Sequence, residues 1–177
     1  MKMVSWRKLW NHLKAWIMPV LWGLLLAGVF SCFFRIAVVN GDSMEPALHN
    51  GQFLLLQTRF LKEDAVKRGD IIVASKEIPE KTEIVKRVIG LPGEHLEILE
   101  NRVYINGEEL EEEYLREDME TENLDVMIPE GKLFVMGDNR NNSHDSRYWQ
   151  NTFVREDQIL GKAFLRYWPA SRFGKIS

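Results

Sequence analysis

The chain has 177 residues, enough for one domain of ordinary size and an appendage. Its formal net charge of −3 is unevenly distributed, because all 26 acidic residues but only 18 of the 23 basic residues follow Gly41. The resulting net charge of −8 after Gly41 argues against nucleic acid as a partner. The single cysteine, Cys32, excludes an internal disulfide and a thiolate metal cluster, and the four scattered histidines lack the spacing of metal ligands.

The first predicted element is a transmembrane helix over residues 17–38. Residues 17–34 carry no charge, and Arg35 is expected to snorkel to the membrane interface. Four basic residues precede the helix and predict that residues 1–16 are a cytoplasmic tail: Lys2, Arg7, Lys8 and Lys14. Since no second run of spanning length follows, we expect a single-pass protein of the cell membrane whose body, residues 39–177, is extracytoplasmic.

Two other interpretations of the apolar segment fit less well. A cleaved signal peptide has a shorter apolar core and small residues before the cut, which "VFSCFF" does not offer. A lipoprotein would use Cys32, but Phe30 and Ser31 are unusual residues before a lipidated cysteine. We therefore favour an uncleaved anchor in the lipid bilayer.

The body is predicted to be mostly β. Short runs of β-forming residues alternate with turn signals, and Asn106-Gly107 is a strong two-residue hairpin signal. Because amphipathic helices are not evident after residue 38, we expect an antiparallel sheet or barrel-like domain with a small β insertion at about residues 96–131. The acidic stretch 108–130 within it is interpreted as a solvated loop or a small insertion on the main sheet.

The first candidate for chemistry is Ser43, in the turn "NGDSMEPAL" after the predicted helix. A serine hydroxyl is a weak nucleophile until a neighbouring base takes its proton. His144 is the best placed of the histidines, but none of them lies in a predicted strand or beside an obvious orienting carboxylate. Another residue type must therefore be considered as the base.

That second candidate is Lys86, in the predicted strand "EIVKRVIG". Strand alternation places Lys86 on the same face as Ile84 and Val88. On periodicity alone, the lysine stem packs at a strand edge while its amine reaches water. The functional alternative is that burial lowers the pKa of the amine enough to make it a base.

A third unusual stretch, "MGDNRNNSHDSRYW", covers residues 136–149. It contains two Asp-x-Arg pairs, Asp138 with Arg140 and Asp145 with Arg147, and many side chains that bond to backbone. It is compatible with an ordinary surface loop. The apolar residues on both sides suggest instead that it packs on the body, where its polar groups need internal partners, as they do around an active site.

These stretches together resemble the type I signal peptidases, or bacterial leader peptidases, which are membrane-anchored serine peptidases that remove signal peptides from exported preproteins. "GDSMEPAL" is similar to the family's nucleophile box, with Ser43 as nucleophile and Met44 beside it. "RGDIIV" resembles the next box, and "KRVIGLPGE" resembles the box that carries the lysine base, here Lys86. In "GDNRNNSHDSR", the resemblance implies that Ser143 hydrogen-bonds the base and that Asp145 and Arg147 form a structural ion pair.

The departures from the pattern are also informative. Relatives with two membrane spans have a serine, which supplies an oxyanion hydroxyl, where this chain has Gly41, so the resemblance is to the single-span, Gram-positive type. Ala47 replaces the usual threonine of the nucleophile box. Relatives of the endoplasmic reticulum carry histidine in place of Lys86, and His144 falls at a variable position.

The resemblance implies a serine endopeptidase with a Ser43 nucleophile, a Lys86 general base and no metal or other cofactor. Its partners would be secretory preproteins with small residues before the cut and the lipid bilayer. The run "FLLL", Trp149 and Trp168 are candidates for contact with lipid headgroups, whereas core packing is the favoured placement of the two tryptophans. A non-catalytic membrane-anchored β-domain and a serine–lysine self-cleaving protease stay as rival functions, and nothing in the sequence indicates an oligomeric state.

Overall fold

The structure, a computed structural model, describes residues 6–58, 66–78 and 80–176. Helix α1 (Trp6–Phe33) comes first, and within it Lys14–Phe33 is a 20-residue apolar stretch of mean hydropathy 1.9 whose side chains are not buried in the protein. Its length and composition suffice to cross a membrane. The first five residues of the predicted tail, which include Lys2, lie outside the described residues.

The predicted helix end at Val38 is wrong by five residues. The chain leaves the helix after Phe33, and strand β1 (Phe34–Val38) pairs antiparallel with β2 (Phe53–Gln57) along its whole length. The residues "FRIAV" are apolar enough to continue a membrane helix, but they include β-branched side chains that pack well on a sheet. Pairing with a strand 15 to 23 residues away in sequence, which hydropathy does not report, decides their conformation.

The main sheet contains eight strands, all paired antiparallel. The remaining members are β3 (Ile71–Ile78), β4 (Glu80–Gly90), β9 (Lys132–Met136), β10 (Val154–Arg155), β11 (Ile159–Trp168) and β12 (Gly174–Lys175). Their spatial order is β1-β2-β11-β3-β4-β9-β10, with β12 also on β11. The predicted fold class, mostly β with antiparallel strands after one N-terminal helix, is confirmed.

The main sheet curls, and this curl positions the candidate site. Strands β1 and β4 are separated by three strands in the sheet, yet Arg35 of β1 and Glu83 of β4 form an ion pair of 2.6 Å. The turn that follows β1 contains Ser43, and β4 carries Lys86. Sheet curvature therefore brings together two segments that are 43 residues apart in the chain.

A smaller sheet lies between β4 and β9 in sequence, as the predicted insertion required. It has the order β7-β6-β5-β8, with β5 (His95–Leu99), β6 (Arg102–Ile105), β7 (Glu108–Glu109) and β8 (Leu124–Met127). Asn106 and Gly107 have φ values of 52° and 85° and connect β6 to β7. Two consecutive positive φ angles are typical of a tight hairpin turn, so the predicted hairpin is confirmed.

The acidic stretch after this hairpin is not simply solvated. Met119 is buried in the core that joins the two sheets, together with Ile89, Leu96 and Phe134. Glu112 is also largely buried, because its carboxylate pairs with a buried arginine of the loop after β9. The expectation of a solvated loop is therefore wrong for this part of the segment. Composition alone could not show that one glutamate among many has a buried cation as partner.

Two further clusters of buried side chains fill the main sheet. One packs around the turn after β1 and includes Met44, Leu54 and Leu56, and the other contains Trp149 with Ile72 and Val88. Core packing, the favoured placement of Trp149, is therefore confirmed, and the lipid contact considered for Leu54 and Leu56 is wrong, since all three side chains are core residues. Trp168 is 55% exposed, so its contact with lipid stays a prediction.

Candidate active site

The turn between β1 and β2 presents Ser43. Gly41 has a φ of +96°, a left-handed conformation that favours glycine, and its N–H donates to Asn50 Oδ1 at 3.1 Å. The next residue after the serine, Met44, is buried, and its carbonyl accepts the N–H of Leu48 at 2.8 Å. Gly41 and Met44 thus hold the turn from both sides, while the side chain of Ser43 is left partly exposed.

Lys86 is a buried residue of β4, with 5% of its surface exposed. It lies opposite Ile72 of β3, and its Nζ donates to Ser43 Oγ at 2.6 Å. The predicted meeting of the two side chains is therefore present in the structure. The simpler interpretation, a strand-edge lysine whose amine reaches water, does not describe this residue.

Burial is the main cause that lowers the pKa of Lys86, to about 8. Asp145 and Asp138 oppose this by stabilising the ammonium, and Arg147 adds to the lowering. At pH 7, a neutral amine then costs about 1.4 kcal/mol, against about 4.6 kcal/mol for an unperturbed lysine. The environment thus removes most of the free energy that an ordinary lysine would need to act as a base near neutral pH.

The loop that follows β9 closes over the nucleophile turn at Gly137. A Cβ atom at this position would lie 2.4 Å from the Ser43 carbonyl oxygen and 2.3 Å from Ser143 Oγ. Asn139 ties the same two segments together, because its N–H donates to the Ser43 carbonyl at 3.1 Å and its Nδ2 donates to the Asp42 carbonyl at 3.2 Å. Sequence reasoning gave Gly137 and Asn139 no role. The feature that could have indicated the close contact at Gly137 is a glycine between a strand and a polar loop.

Asp145 and Arg147 form the ion pair that the resemblance implied. The carboxylate is fully buried and lies 2.8 Å from Arg147 Nε and 2.9 Å from Nη2. Its Oδ2 also accepts the N–H of Gly137 at 3.0 Å, so this pair holds the backbone that touches Ser43. A buried carboxylate needs such partners to stay charged.

Asp138 pairs with Arg87, the residue that follows Lys86 in β4. Arg87 donates through Nε and Nη2 to the two carboxylate oxygens of Asp138, at 2.8 and 2.7 Å, and both side chains are buried. This bidentate ion pair links Arg87, the neighbour of Lys86, to Asp138, the neighbour of Gly137. Because the partners are 51 residues apart in sequence, spacing could not reveal the pair.

The position of Ser143 differs from the expectation. The residue is buried close to Gly137, but its Oγ finds no hydrogen-bond partner among the described residues. The implied hydrogen bond to Lys86 is therefore not formed in this structure. The amine of Lys86 is directed to Ser43 instead.

Neither His144 nor His95 is hydrogen-bonded to Ser43, whose hydroxyl contacts Lys86 instead. His144 is exposed and lies 6.1 Å from the ring of Tyr148, in a stacked arrangement. His95 of β5 contacts Asp125 of the adjacent strand β8, with Nε2 2.7 Å from a carboxylate oxygen, and the ligand atoms of these two residues and Glu97 lie within 4.8 Å of one another. The hydrogen bond that His95 donates to the Asp125 carboxylate raises the pKa of the imidazole. The distances among these three side chains are short enough for a cation, and sequence spacing had not singled them out.

A second buried lysine lies on the neighbouring strand. Lys76 of β3 donates to the carbonyls of Asn151 and Phe153, the latter at 2.6 Å, and its Nζ lies 4.6 Å from the ring centre of Trp149. Its pKa is lowered to about 8, mainly by burial and in smaller part by the nearby cations Arg155 and Lys132. Sequence reasoning had not noticed this residue.

Comparisons with known proteins show to which family the chain belongs. The family model described as signal peptidase, peptidase S26, matches residues 10–168. Signal peptidase I P of Bacillus subtilis subsp. natto is 38% identical over 174 residues, which cover 92% of each chain. Probable signal peptidase I-2 of Synechocystis is 33% identical over 159 residues, 87% of this chain and 72% of the relative.

A solved structure was also found, a signal peptidase I of Enterococcus faecalis at 34% identity. It covers 56% of this chain and 97% of its own, with a TM-score of 0.49. The family model and the relatives each span most of the sequence, including the nucleophile turn, β4 and the loop after β9. The chain belongs to the signal peptidase family, peptidase S26.

Proposed function

We propose that this signal peptidase cleaves peptide bonds with Ser43 as nucleophile and Lys86 as general base. Family membership makes the chain a serine peptidase that removes signal peptides. The observation that carries the assignment of residues is the 2.6 Å contact between Lys86 Nζ and Ser43 Oγ in a buried setting. General-base catalysis requires a basic atom within hydrogen-bond reach of the proton that it takes.

In the proposed mechanism, the neutral amine of Lys86 accepts the proton of the Ser43 hydroxyl. The Ser43 oxygen attacks the scissile carbonyl, and the N–H of Ser43 donates to the oxyanion. The Lys86 ammonium then passes its proton to the departing amine, which leaves an ester on Ser43. Lys86, neutral again, takes a proton from a water molecule that attacks the ester and then returns this proton to the departing Ser43 oxygen, which releases the carboxylic acid product and restores the free serine and the neutral amine.

The surrounding residues would keep this pair in place. Asp145 and Arg147 hold Gly137 against the Ser43 carbonyl, and Asp138 is held by Arg87 on the strand of the base. Met44 and Gly41 hold the serine turn from its two ends. The role proposed for Ser143 is to contact the amine during turnover, since its hydroxyl is buried beside Gly137 and close to the nucleophile turn.

The proposed substrates are secretory preproteins with small residues before the cut, in line with the names of the relatives. The bilayer would be the second partner, with α1 as anchor and Trp168 at the lipid headgroups. Anchoring both enzyme and substrate in one membrane raises their effective concentration without new contacts. The basic residues Arg7, Lys8 and Lys14 at the start of α1 favour a cytoplasmic N-terminus and an extracytoplasmic body.

Cleavage of a purified preprotein by the detergent-solubilised chain tests the assignment. We expect processing by the unaltered enzyme, and none by Ser43→Ala or Lys86→Ala, both with an unchanged circular dichroism spectrum. Near-normal turnover by either variant would show that the proposed pair is wrong.

Topology needs a separate experiment, because the orientation does not follow from the chemistry. Protease added outside intact cells or protoplasts should digest the body and leave an epitope placed before α1 untouched. Digestion of the N-terminal epitope with a protected body would reverse the proposed orientation.

A further inference from the structure

The segment between β7 and β8 crosses the loop that carries Gly137, Asp138 and Asn139. We call residues 110–121 the acidic strap, because six of the twelve are Asp or Glu. Two of its polar side chains are turned inwards, those of Glu112 and Tyr114, whereas Glu111 and Glu113 are exposed. A segment of this composition normally stays in water, so the buried carboxylate needs an explanation.

Glu112 forms a buried ion pair with Arg140 of the loop. Arg140 Nη1 lies 2.8 Å from one carboxylate oxygen of Glu112 and Nη2 lies 2.5 Å from the other. The side chain of Glu112 is only 8% exposed, and that of Arg140 only 1%. The same guanidinium donates through Nε to the Gly137 carbonyl at 3.1 Å. Arg140 therefore links the strap to the glycine that touches Ser43.

Tyr114 supplies a second link to the same loop. Its hydroxyl donates to Glu112, and its ring lies 4.0 Å from the guanidinium carbon of Arg87, in a cation–π arrangement. Arg87 in turn holds Asp138 through two hydrogen bonds. Burial, followed by the charge of Glu112, raises the pKa of Tyr114, so the phenol keeps the proton that it donates.

At the other end of the strap, the side chain of Asn141 in the loop forms hydrogen bonds with the strap backbone. Asn141 Oδ1 accepts the N–H of Glu120 at 2.8 Å, and Asn141 Nδ2 donates to the Asp118 carbonyl at 3.1 Å. The loop is thus held from the strap at Arg140 and Asn141 and from β4 through Arg87. Every one of these contacts lies outside the Ser43–Lys86 pair itself.

We propose that Glu112 and Tyr114 are positioning residues for signal-peptide cleavage, which act through Arg140 and Arg87 on Gly137, Asp138 and Asn139. This inference rests on the proposed function. If the carboxylate is lost, Arg140 keeps its charge without its partner and must move towards other acceptors. The Gly137 carbonyl then shifts, and with it the Ser43 backbone that Asn139 and Gly137 contact. Small displacements of a nucleophile from its base are costly in rate.

Another role is open to the strap, namely direct contact with the substrate. Arg116 and Glu117 line a cavity of about 100 Å³ together with Glu45 and Asn139, next to the nucleophile turn. A substrate-binding role would change KM, whereas a positioning role changes kcat with little effect on KM. The two roles are therefore separable by steady-state kinetics.

The experiment compares Glu112→Gln with the exposed neighbour Glu113→Gln in the full chain in detergent, with a purified preprotein as substrate. We expect Glu112→Gln to lower kcat about tenfold to a hundredfold with KM changed less than about twofold, and Glu113→Gln to change neither. Glu112→Asp, which keeps the charge, should recover part of the lost kcat. Tyr114→Phe, which keeps the ring over Arg87, should lower kcat by less than Glu112→Gln does.

The outcomes separate this inference from the proposed function. If the unaltered enzyme does not cleave the preprotein, the proposed function itself fails. If it does and Glu112→Gln matches Glu113→Gln, or raises KM alone, the positioning role is wrong. A loss of kcat that disappears when the assay temperature is lowered further below the variant's Tm would also overturn it, because it would reflect unfolding. If Glu112→Gln does not fold, unchanged kcat in both Glu112→Asp and Tyr114→Phe would contradict the proposal.

Discussion

Lys76 and Lys86 lie on adjacent strands, are both buried, and both have a pKa lowered to about 8, mainly by burial. They differ in what the amine touches. Lys76 donates to two backbone carbonyls and lies over an indole ring, whereas Lys86 donates to the hydroxyl of Ser43. A carbonyl has no proton to give, so Lys76 can only hold the loop that contains Asn151 and Phe153.

The surrounding charges differ as well. Lys86 has Asp145 and Asp138 nearby, which raise its pKa against the effect of burial, while Lys76 has the cations Arg155 and Lys132, which lower its pKa further. A low lysine pKa is therefore not evidence of catalysis by itself. The partner of the amine decides between a structural and a catalytic lysine.

The largest expected effect comes from replacing each of these lysines by methionine. Lys86→Met should lower kcat at least about a thousandfold, because the only base in contact with Ser43 among the described residues is lost. Lys76→Met should keep kcat within about threefold, but should lower the free energy of unfolding by about 1–3 kcal/mol because two carbonyls lose their donor. Preprotein cleavage measures kcat, and urea unfolding measures the free energy of unfolding. Equal losses of kcat in the two variants would contradict the assignment of Lys86 as catalytic and Lys76 as structural.

Gly137→Ala should separate Lys86 from its hydroxyl without altering the lysine. The added Cβ would lie 2.4 Å from the Ser43 carbonyl, so the serine turn or the loop must shift. We expect kcat to fall about a hundredfold. Gly174→Ala is the control, since a Cβ there has no neighbour within 4 Å and the residue does not need a positive φ. Equal activity of Gly137→Ala and Gly174→Ala would mean that close packing at Gly137 does not hold the pair.

The pH dependence of kcat/KM reports the ionisation of the free enzyme. At pH values below its pKa of about 8, Lys86 is protonated and cannot accept the Ser43 proton. We therefore expect kcat/KM to fall about tenfold per pH unit on the acid side and to level off above pH 8. Lys76→Met should keep the same profile, although the pKa of Lys76 is also about 8. A pH profile that changed in Lys76→Met would show that the ionisation belongs to Lys76 and not to Lys86.

The smallest effect is expected for His144→Ala. The imidazole is exposed, stacks on Tyr148, and makes no hydrogen bond to Ser43. Activity should stay within about twofold, and the acid limb of the pH profile should not move. An acid limb near the ~6.5 of an ordinary histidine that disappeared in this variant would transfer the role of base from Lys86 to His144.

Much of the site could be predicted from short stretches of sequence. Ser43, Lys86 and the Asp145–Arg147 pair each lie in a local pattern, and the Asn106-Gly107 turn specifies its own hairpin. The pairs Arg87–Asp138 and Arg140–Glu112 could not be predicted in this way. Their partners are 51 and 28 residues apart, and a charged residue has no periodic signal that names its partner.

The sequence by itself determined the apolar helix, the β-rich body and the identity of the groups that can react, because hydropathy, turn chemistry and side-chain type are local properties. Tertiary structure decided where the helix ends, because Phe34–Val38 satisfy their backbone hydrogen bonds by pairing with β2. It also decided which lysine meets the hydroxyl. Lys76 and Lys86 have similar burial, and only the curl that brings the turn after β1 against β4 gives Lys86, and not Lys76, a serine as partner.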